Sequence, residues 1–245
     1  MDLKEKPHFH RIEEEINHWW IKTRFNYIND AVENFNSKKI TFLEYGCGTC
    51  NNLYYILNRS PFISKIKSVT GIDPNLKNLQ KPDWALNFDL HLDNSLSDKF
   101  QADIILAMDV LEHIRDDYYA LKEWKKILKP NGIILISVPA FQHLWSHHDE
   151  FLGHYRRYNK KDLYNLARSV GLQDIKINYI FSYIYPAVFI LRKCLPKILP
   201  GNSDLRKNNK FINSVLSFLG KTEYKLGIPN IFGTSVVGIF KNNVK

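Results

Sequence analysis

Cysteine, arginine and long apolar runs are all scarce in this chain, and each shortage removes a class of protein. The cysteines are Cys47, Cys50 and Cys194; an odd, small number in a domain-sized chain excludes a disulfide scaffold and fits reduced thiols. Cys47-x-x-Cys50 spells a redox or zinc half-site, but there is no second C-x-x-C to complete a metal centre. No apolar run reaches the roughly 18 to 20 residues that a membrane-spanning helix needs. The longest, Tyr179 to Leu191, is 13 residues and contains Pro186. The opening Met1-Asp2-Leu3-Lys4-Glu5-Lys6-Pro7 has neither a signal pattern nor a lipidation motif, so a cytoplasmic location is expected. Arginine supplies only 9 of the 34 cations, so the net charge of +9 rests on scattered lysine, which reads as solvated surface. Without C₂H₂ spacing, an RNA-binding signature or an arginine-rich arm, no nucleic-acid partner is expected. Repeats, low-complexity tracts and dividing linkers are also missing. At 245 residues and 44% hydrophobic side chains, residues 1–245 are expected to bury one core as a single domain.

What is present is concentrated in Phe42-Leu43-Glu44-Tyr45-Gly46-Cys47-Gly48-Thr49-Cys50, followed by Val69-Thr70-Gly71-Ile72-Asp73-Pro74. Residues 39 to 45 carry the β-branched and aromatic side chains of a strand, and residues 51 to 58 show helical spacing of apolar groups. The glycines therefore lie at a strand-to-helix turn, where a missing Cβ lets the backbone bend sharply and approach a ligand. An acidic residue ending the next strand can accept both hydroxyls of a ribose, and Asp73 is placed for that. A dinucleotide fingerprint needs a third glycine three positions after Gly48, and position 51 is Asn. A nicotinamide-dependent oxidoreductase, the alternative from another class, lacks that residue.

The remaining pattern, Glu44-x-Gly46-x-Gly48 with Gly71-Ile72-Asp73-Pro74, resembles the first motifs of class I S-adenosylmethionine (SAM) dependent methyltransferases. Asp103-Ile104-Ile105-Leu106-Ala107-Met108, leading into Asp109-Val110-Leu111-Glu112-His113-Ile114, Lys129-Pro130-Asn131-Gly132 and the strand Ile133 to Pro139, is similar to their fourth strand, helix and fifth strand. The resemblance covers roughly residues 40 to 140. It implies an α/β, Rossmann-like, seven-stranded and mostly parallel sheet with helices on both faces, an antiparallel last strand and a helical insertion between strands six and seven. It also implies SAM as cofactor, with Glu44, Gly46, Cys47, Gly48, Asp73, Pro74, Met108, Asp109 and His113 at its site. An acid after the third strand should meet the adenine amine; Asp93 is the choice, with Asp89 its competitor.

After the fifth strand comes Val138 to Tyr158, rich in His143, His147, His148, Asp149, His154, Arg156, Arg157 and Tyr158. In open α/β sheets ligands bind beyond the carboxyl ends of strands, so this loop is expected to face the acceptor. Its Val-Pro-Ala, Leu-Trp-Ser, His-Asp, Gly-His and Arg-Arg-Tyr features resemble a methyltransferase subgroup associated with small-molecule acceptors and surface-polysaccharide gene clusters. That implies a sugar, a sugar acid or an activated glycan precursor; a quinone or lipid is the alternative. Arginine forks bind carboxylate or phosphate, so Arg156 and Arg157 predict an anionic acceptor unless Asp149 pairs with one of them. A hydroxyl acceptor needs a base, and His147 and His148 are the first candidates, followed by His113 and His154. The histidines with Asp149 are a dense group, but their spacing matches no zinc motif, and no metal is expected.

The flanks complete the reading. Residues 1–37 form a helical cap, with helix over 8 to 35, placing Trp20 and Arg24 near the substrate. Residues 38–180 form the cofactor core, 181–232 a helical insertion and 233–245 the last strand. An apolar stretch beside Arg192, Lys193, Lys197, Arg206, Lys207 and Lys210 suits a lid, a homodimer contact or, through 180–210, a peripheral membrane contact.

Overall fold

A computed structural model describes residues 12–74, 82–93, 95–194, 209–227 and 231–243. The strands are β1 (Ile40–Tyr45), β2 (Ile66–Ile72), β3 (Leu90–Asp93), β4 (Ala102–Met108), β5 (Leu128–Pro139), β6 (Gln173–Ile180) and β7 (Ser235–Lys241). They form one seven-stranded sheet in the order β3-β2-β1-β4-β5-β7-β6. The first five run parallel, and β7 is antiparallel to both β5 and β6. The chain winds outward from β1 through β2 to β3, then returns to place β4 on the other side of β1. That reversal leaves a crevice beyond the carboxyl ends of β1 and β4, where such sheets bind ligands.

The side chains of each central strand divide between two cores, because successive Cβ atoms point to opposite faces. Phe42, Ile104, Leu106 and Leu135 face one core, and Leu43, Ile105, Ala107, Ile134 and Ile136 the other. Both faces are covered, which is why these strands read as continuous apolar runs. The first core receives α2 (Trp19–Glu33) and α3 (Asn51–Asn58) through Ile21, Phe25, Ile28, Leu53 and Ile56; the second receives α4 (Asp117–Ile127) and α6 (Lys160–Ser169) through Leu121, Trp124, Leu163 and Ala167.

The single helix expected over 8 to 35 is broken. α1 (Ile12–Asn17) stops before His18, whose extended backbone (φ −65°, ψ 133°) starts α2, and residues 8–11 lie outside the described ones. Tertiary contact decides the break: the Asn213 side chain accepts from Trp19 N at 2.8 Å and donates to Asn17 O at 2.8 Å. Asn213 belongs to α8 (Lys210–Leu226), which packs along α2; the short α5 (His147–Leu152) and α7 (Tyr185–Lys193) complete the helices used below. Pro186 lies in the first turn of α7, where its missing N–H breaks no helical bond. Of the expected basic stretch, Lys197, Arg206 and Lys207 fall outside the described residues.

Candidate cofactor and acceptor site

The turn between β1 and α3 is held open by backbone that only small or special residues adopt. Gly46 and Gly48 have φ of +64° and +47°, and Cys50 at +62° leads into α3. A Cβ on Gly46 would stand 2.5 Å from Val110 Cγ2, so the turn lies directly against the segment that follows β4. Cys47 is buried, and its sulfur faces the neighbouring strand: a Cβ on Gly71 would meet it at 2.8 Å and Leu53 Cδ1 at 2.7 Å. Gly71 is thus fixed by the turn packed over it.

Glu44 near the end of β1 and Asp73 just after β2 lie at the same edge of the sheet. Gly48 N donates to Asp73 Oδ2 at 3.1 Å, binding the second strand's acid to the turn. Asn52 Nδ2 donates to Glu44 Oε1 at 2.5 Å, while the buried Glu44 Oε2 has no hydrogen-bond partner among the described residues. Burial pushes the Glu44 carboxyl up to about 7, against the opposing effect of the Asn52 bond. A buried carboxylate oxygen left without a donor is costly, and a cationic ammonium would satisfy it. Asp93 is exposed at the carboxyl end of β3, beside Ile72 in register; Asp89 precedes that strand at its opposite end and pairs with His91 at 2.8 Å. Geometry therefore separates two acids that spacing alone left open. Pro74 is exposed just after Asp73, and Met108 ends β4, buried. These residues fit an adenosyl cofactor with an amino-acid end. Sequence reasoning missed Glu15, a buried acid of α1 that accepts from Thr49 Oγ1 at 2.5 Å and Asn51 Nδ2 at 3.4 Å, closing α1 over the turn. No motif marks it.

Arg24 is fully buried and forms an ion pair with Asp109, stacking its guanidinium 4.1 Å from the centre of the Trp20 ring. Asp109 has a left-handed backbone (φ +57°) and also accepts from Ser137 Oγ at 3.0 Å. The aromatic-plus-arginine helix thus reaches the end of β4, and Arg24 Nε and Nη2 have no partner among the described residues.

The loop after β5 departs from expectation. Arg157 closes its fork on Asp149, Nε to Oδ1 at 2.7 Å and Nη2 to Oδ2 at 3.0 Å. Arg156 binds Asp117 at 2.7 Å and the Arg115 carbonyl at 2.5 Å, and the Tyr158 hydroxyl donates to Asp117 at 2.8 Å. The anion clamp expected of the two arginines is corrected: the Arg157 fork is filled by Asp149 and that of Arg156 by Asp117 and the Arg115 carbonyl, and Tyr158 is buried bracing rather than an acceptor contact. His143 turns to Tyr185 of α7 at 2.9 Å, and burial lowers its proton affinity. His147 has a side chain 80% exposed beside Glu150, which corrects its place as first candidate base.

His154 takes that position. Its Nδ1 lies 2.8 Å from Asp149 Oδ1, and its ring packs edge-on to His113 at 4.6 Å, with His148 further out at 6.5 Å. Burial raises the Asp149 carboxyl, but the His154 bond and the Arg157 charge outweigh it and hold the group well below the usual carboxylate range. An ionised carboxylate only accepts, so His154 Nδ1 donates to it and the ring is oriented with Nε2 on the far side from Asp149. Glu112, on the turn Leu111–His113, is buried beside them; desolvation, then the Asp109 charge, push its carboxyl well above the ordinary range. Among the described residues the ligand atoms of His143, His147, His148, His154 and Asp149 do not converge as one set. A different trio does: the ligand atoms of Glu112, His113 and His154 all lie within 4.8 Å of one another.

A family model described as a methyltransferase domain matches residues 20–177. The ubiquinone biosynthesis O-methyltransferase of Pelagibacter ubique is 33% identical over 107 residues, 41% of this chain and 42% of that protein. The chain spans about half the length of the curated relatives it matches. Among solved structures, the plantazolicin methyltransferase BpumL in complex with SAH aligns with a TM-score of 0.53 at 16% identity, covering 91% of this chain and 84% of that one. The Haemonchus contortus phosphoethanolamine N-methyltransferase 2 in complex with SAM aligns at 0.52 and 15% identity, covering 89% and 53%. At such identity these two likenesses establish the fold.

Proposed function

Since the chain belongs to the methyltransferase-domain family and its cofactor is S-adenosylmethionine, we propose that it methylates a hydroxyl oxygen of a small acceptor held against Glu112, His113 and His154. When bound, the cofactor supplies a methyl group on a positively charged sulfur, open to in-line attack. The chain's own task is placement: aligning a nucleophile within roughly 3 to 3.5 Å can supply about 7 to 11 kcal/mol of the barrier. Glu44 Oε2 suits the ammonium, Asp73 the ribose hydroxyls and Asp93 the adenine edge. Membership of the family removes the oxidoreductase alternative.

The observation that carries the proposal is the convergence of Glu112, His113 and His154 just beyond β4, with Asp149 fixing His154 from behind. A hydroxyl must shed its proton as it attacks, and this partly buried group offers imidazole and carboxyl acceptors for one. The small polar acceptor, such as a sugar, is supported by the polar loop from Val138 to Tyr158. With both arginine forks filled, a neutral hydroxyl suits the site better than an anion. A quinone or lipid acceptor is the second reading, favoured by the names of the curated relatives and by the exposed apolar side chains Phe211, Ile212, Phe218 and Leu226 of α8.

The test is release of S-adenosylhomocysteine from SAM with two panels, one of sugars and nucleotide sugars, one of catechols and prenylated phenols. Turnover with the first supports the polar acceptor and with the second the quinone reading; methylation of amines alone overturns transfer to oxygen. His154→Ala is expected to slow turnover at least about 100-fold with SAM affinity unchanged, and undiminished turnover would remove the cluster from the reaction.

A further inference from the structure

We propose that Glu112, His113 and His154 bind a divalent transition-metal ion, with Asp149 as the carboxylate that orients His154 toward it. Their ligand atoms lie within 4.8 Å of one another. Ligands about 2.0 to 2.2 Å from one ion stand roughly 3.5 Å apart, so a rotamer adjustment of about 1 Å closes the set. Glu112 is 1% exposed, and its Oε2 has no hydrogen-bond partner among the described residues. A buried carboxylate oxygen in that condition calls for a cation or a donor.

The surroundings are those of a metal-bound histidine. Such ligands donate their second ring N–H to a carboxylate, which fixes tautomer and orientation. His154 does this to Asp149 at 2.8 Å, and Asp149 is itself fixed by Arg157 and by Ser146 N at 2.9 Å. The two ligand segments are tied together by Tyr155 N donating to the Glu112 carbonyl at 2.8 Å. Two imidazoles and one carboxylate suit Zn²⁺, Mn²⁺, Fe²⁺ or Co²⁺ rather than Ca²⁺ or Mg²⁺, which prefer all-oxygen sets. Three protein ligands leave a position open, as in catalytic rather than structural sites.

That position would take the acceptor oxygen, which rests on the reading of transfer to a hydroxyl. With the ion bound, it would replace the histidines as the group that acidifies the hydroxyl: the proton would leave to solvent water, the oxygen–carbon bond would form, and the methyl–sulfur bond would break with its electrons returning to sulfur.

The test uses the full chain, stripped with chelator and titrated with Zn²⁺ by calorimetry and with Co²⁺ by visible absorption. One ion per chain is expected. His154→Ala and Glu112→Gln should each weaken binding at least about 10-fold, while His91→Ala, at an exposed histidine on β3, leaves it unchanged. Circular dichroism melts identify a variant that fails to fold, and either of the two then suffices. No binding by the parent, or binding that both variants retain, overturns the proposal. If the parent takes no metal yet methylates hydroxyls through His154, the ion alone is lost; if it binds one ion but methylates no hydroxyl, the ion stands and the acceptor reading falls.

Discussion

Glu44 shows how one residue can link cofactor binding to stability. Its neutral form is favoured in the fold, with the carboxyl pushed up to about 7 by burial. Folded affinity for the proton exceeds unfolded affinity, so the contribution is fully present below the unfolded value near 4.5 and is lost as pH rises through about 7. Its size is on the order of 3 kcal/mol. Glu44→Gln, which keeps the shape and removes the charge, is expected to melt progressively higher than the parent as pH rises from 5 to 8, and to bind SAM far more weakly. A pair of melting curves that stay parallel across this range would mean Glu44 is not the buried acid described. Arg24 and Asp109 are a second residue-scale pair, with Arg24 fully buried and Asp109 partly exposed; removing Asp109 leaves the buried guanidinium charged and unmatched, the costly side of such a deletion.

The element scale explains what could be read in advance. The turn from β1 to α3 was legible because its chemistry is local: a strand, two glycines and a helix within nineteen positions, 40 to 58. The same holds for the acid that ends β2. The acceptor side was not legible, since Glu112 and His113 meet His154 only after β5 and α5 have been placed, and the filling of the Arg157 fork depends on α5 turning Asp149 inward. The break at His18 is of this kind as well, made by Asn213 from far along the chain. The cofactor turn yields a sharp expectation. Gly46→Ala puts a methyl group 2.5 Å from Val110 Cγ2 on backbone at φ +64°, so it should cost about 1 to 3 kcal/mol of stability and abolish SAM binding measured by calorimetry. Parent-like affinity would mean that the turn does not approach the cofactor.

At the scale of the whole molecule, the side of the protein that carries α8 remains to be accounted for. Phe211 and Phe218 are 75% and 67% exposed, and Ile212, Val215, Leu219 and Leu226 join them on the same helix. Lys210, Lys221 and Lys225 of the same helix are exposed. Arg192, expected among these cations, instead points inward to Asp149 at 3.6 Å and to the Leu144 carbonyl. Glu223 is turned inward as well, accepting from Phe181 N and Ser182 N at 2.8 Å. The exposed charge along α8 itself is therefore basic, with Asp30 and Glu33 of α2 near its Tyr224 end, and lysines beside aromatic and aliphatic side chains are the composition that binds an anionic bilayer surface. No described helix is long and apolar enough to cross a membrane, so contact would be superficial. Each lysine near an anionic leaflet contributes about 1 kcal/mol, fading beyond a screening length of about 10 Å at 0.1 M salt. The chain is expected to sediment with phosphatidylglycerol vesicles at low salt, to be partly released at moderate salt, and to lose most binding in Phe211→Ser/Phe218→Ser. Supernatant protein at both salt concentrations would exclude the bilayer and leave a lid or a second copy of the chain to cover α8, a choice that sedimentation equilibrium then makes.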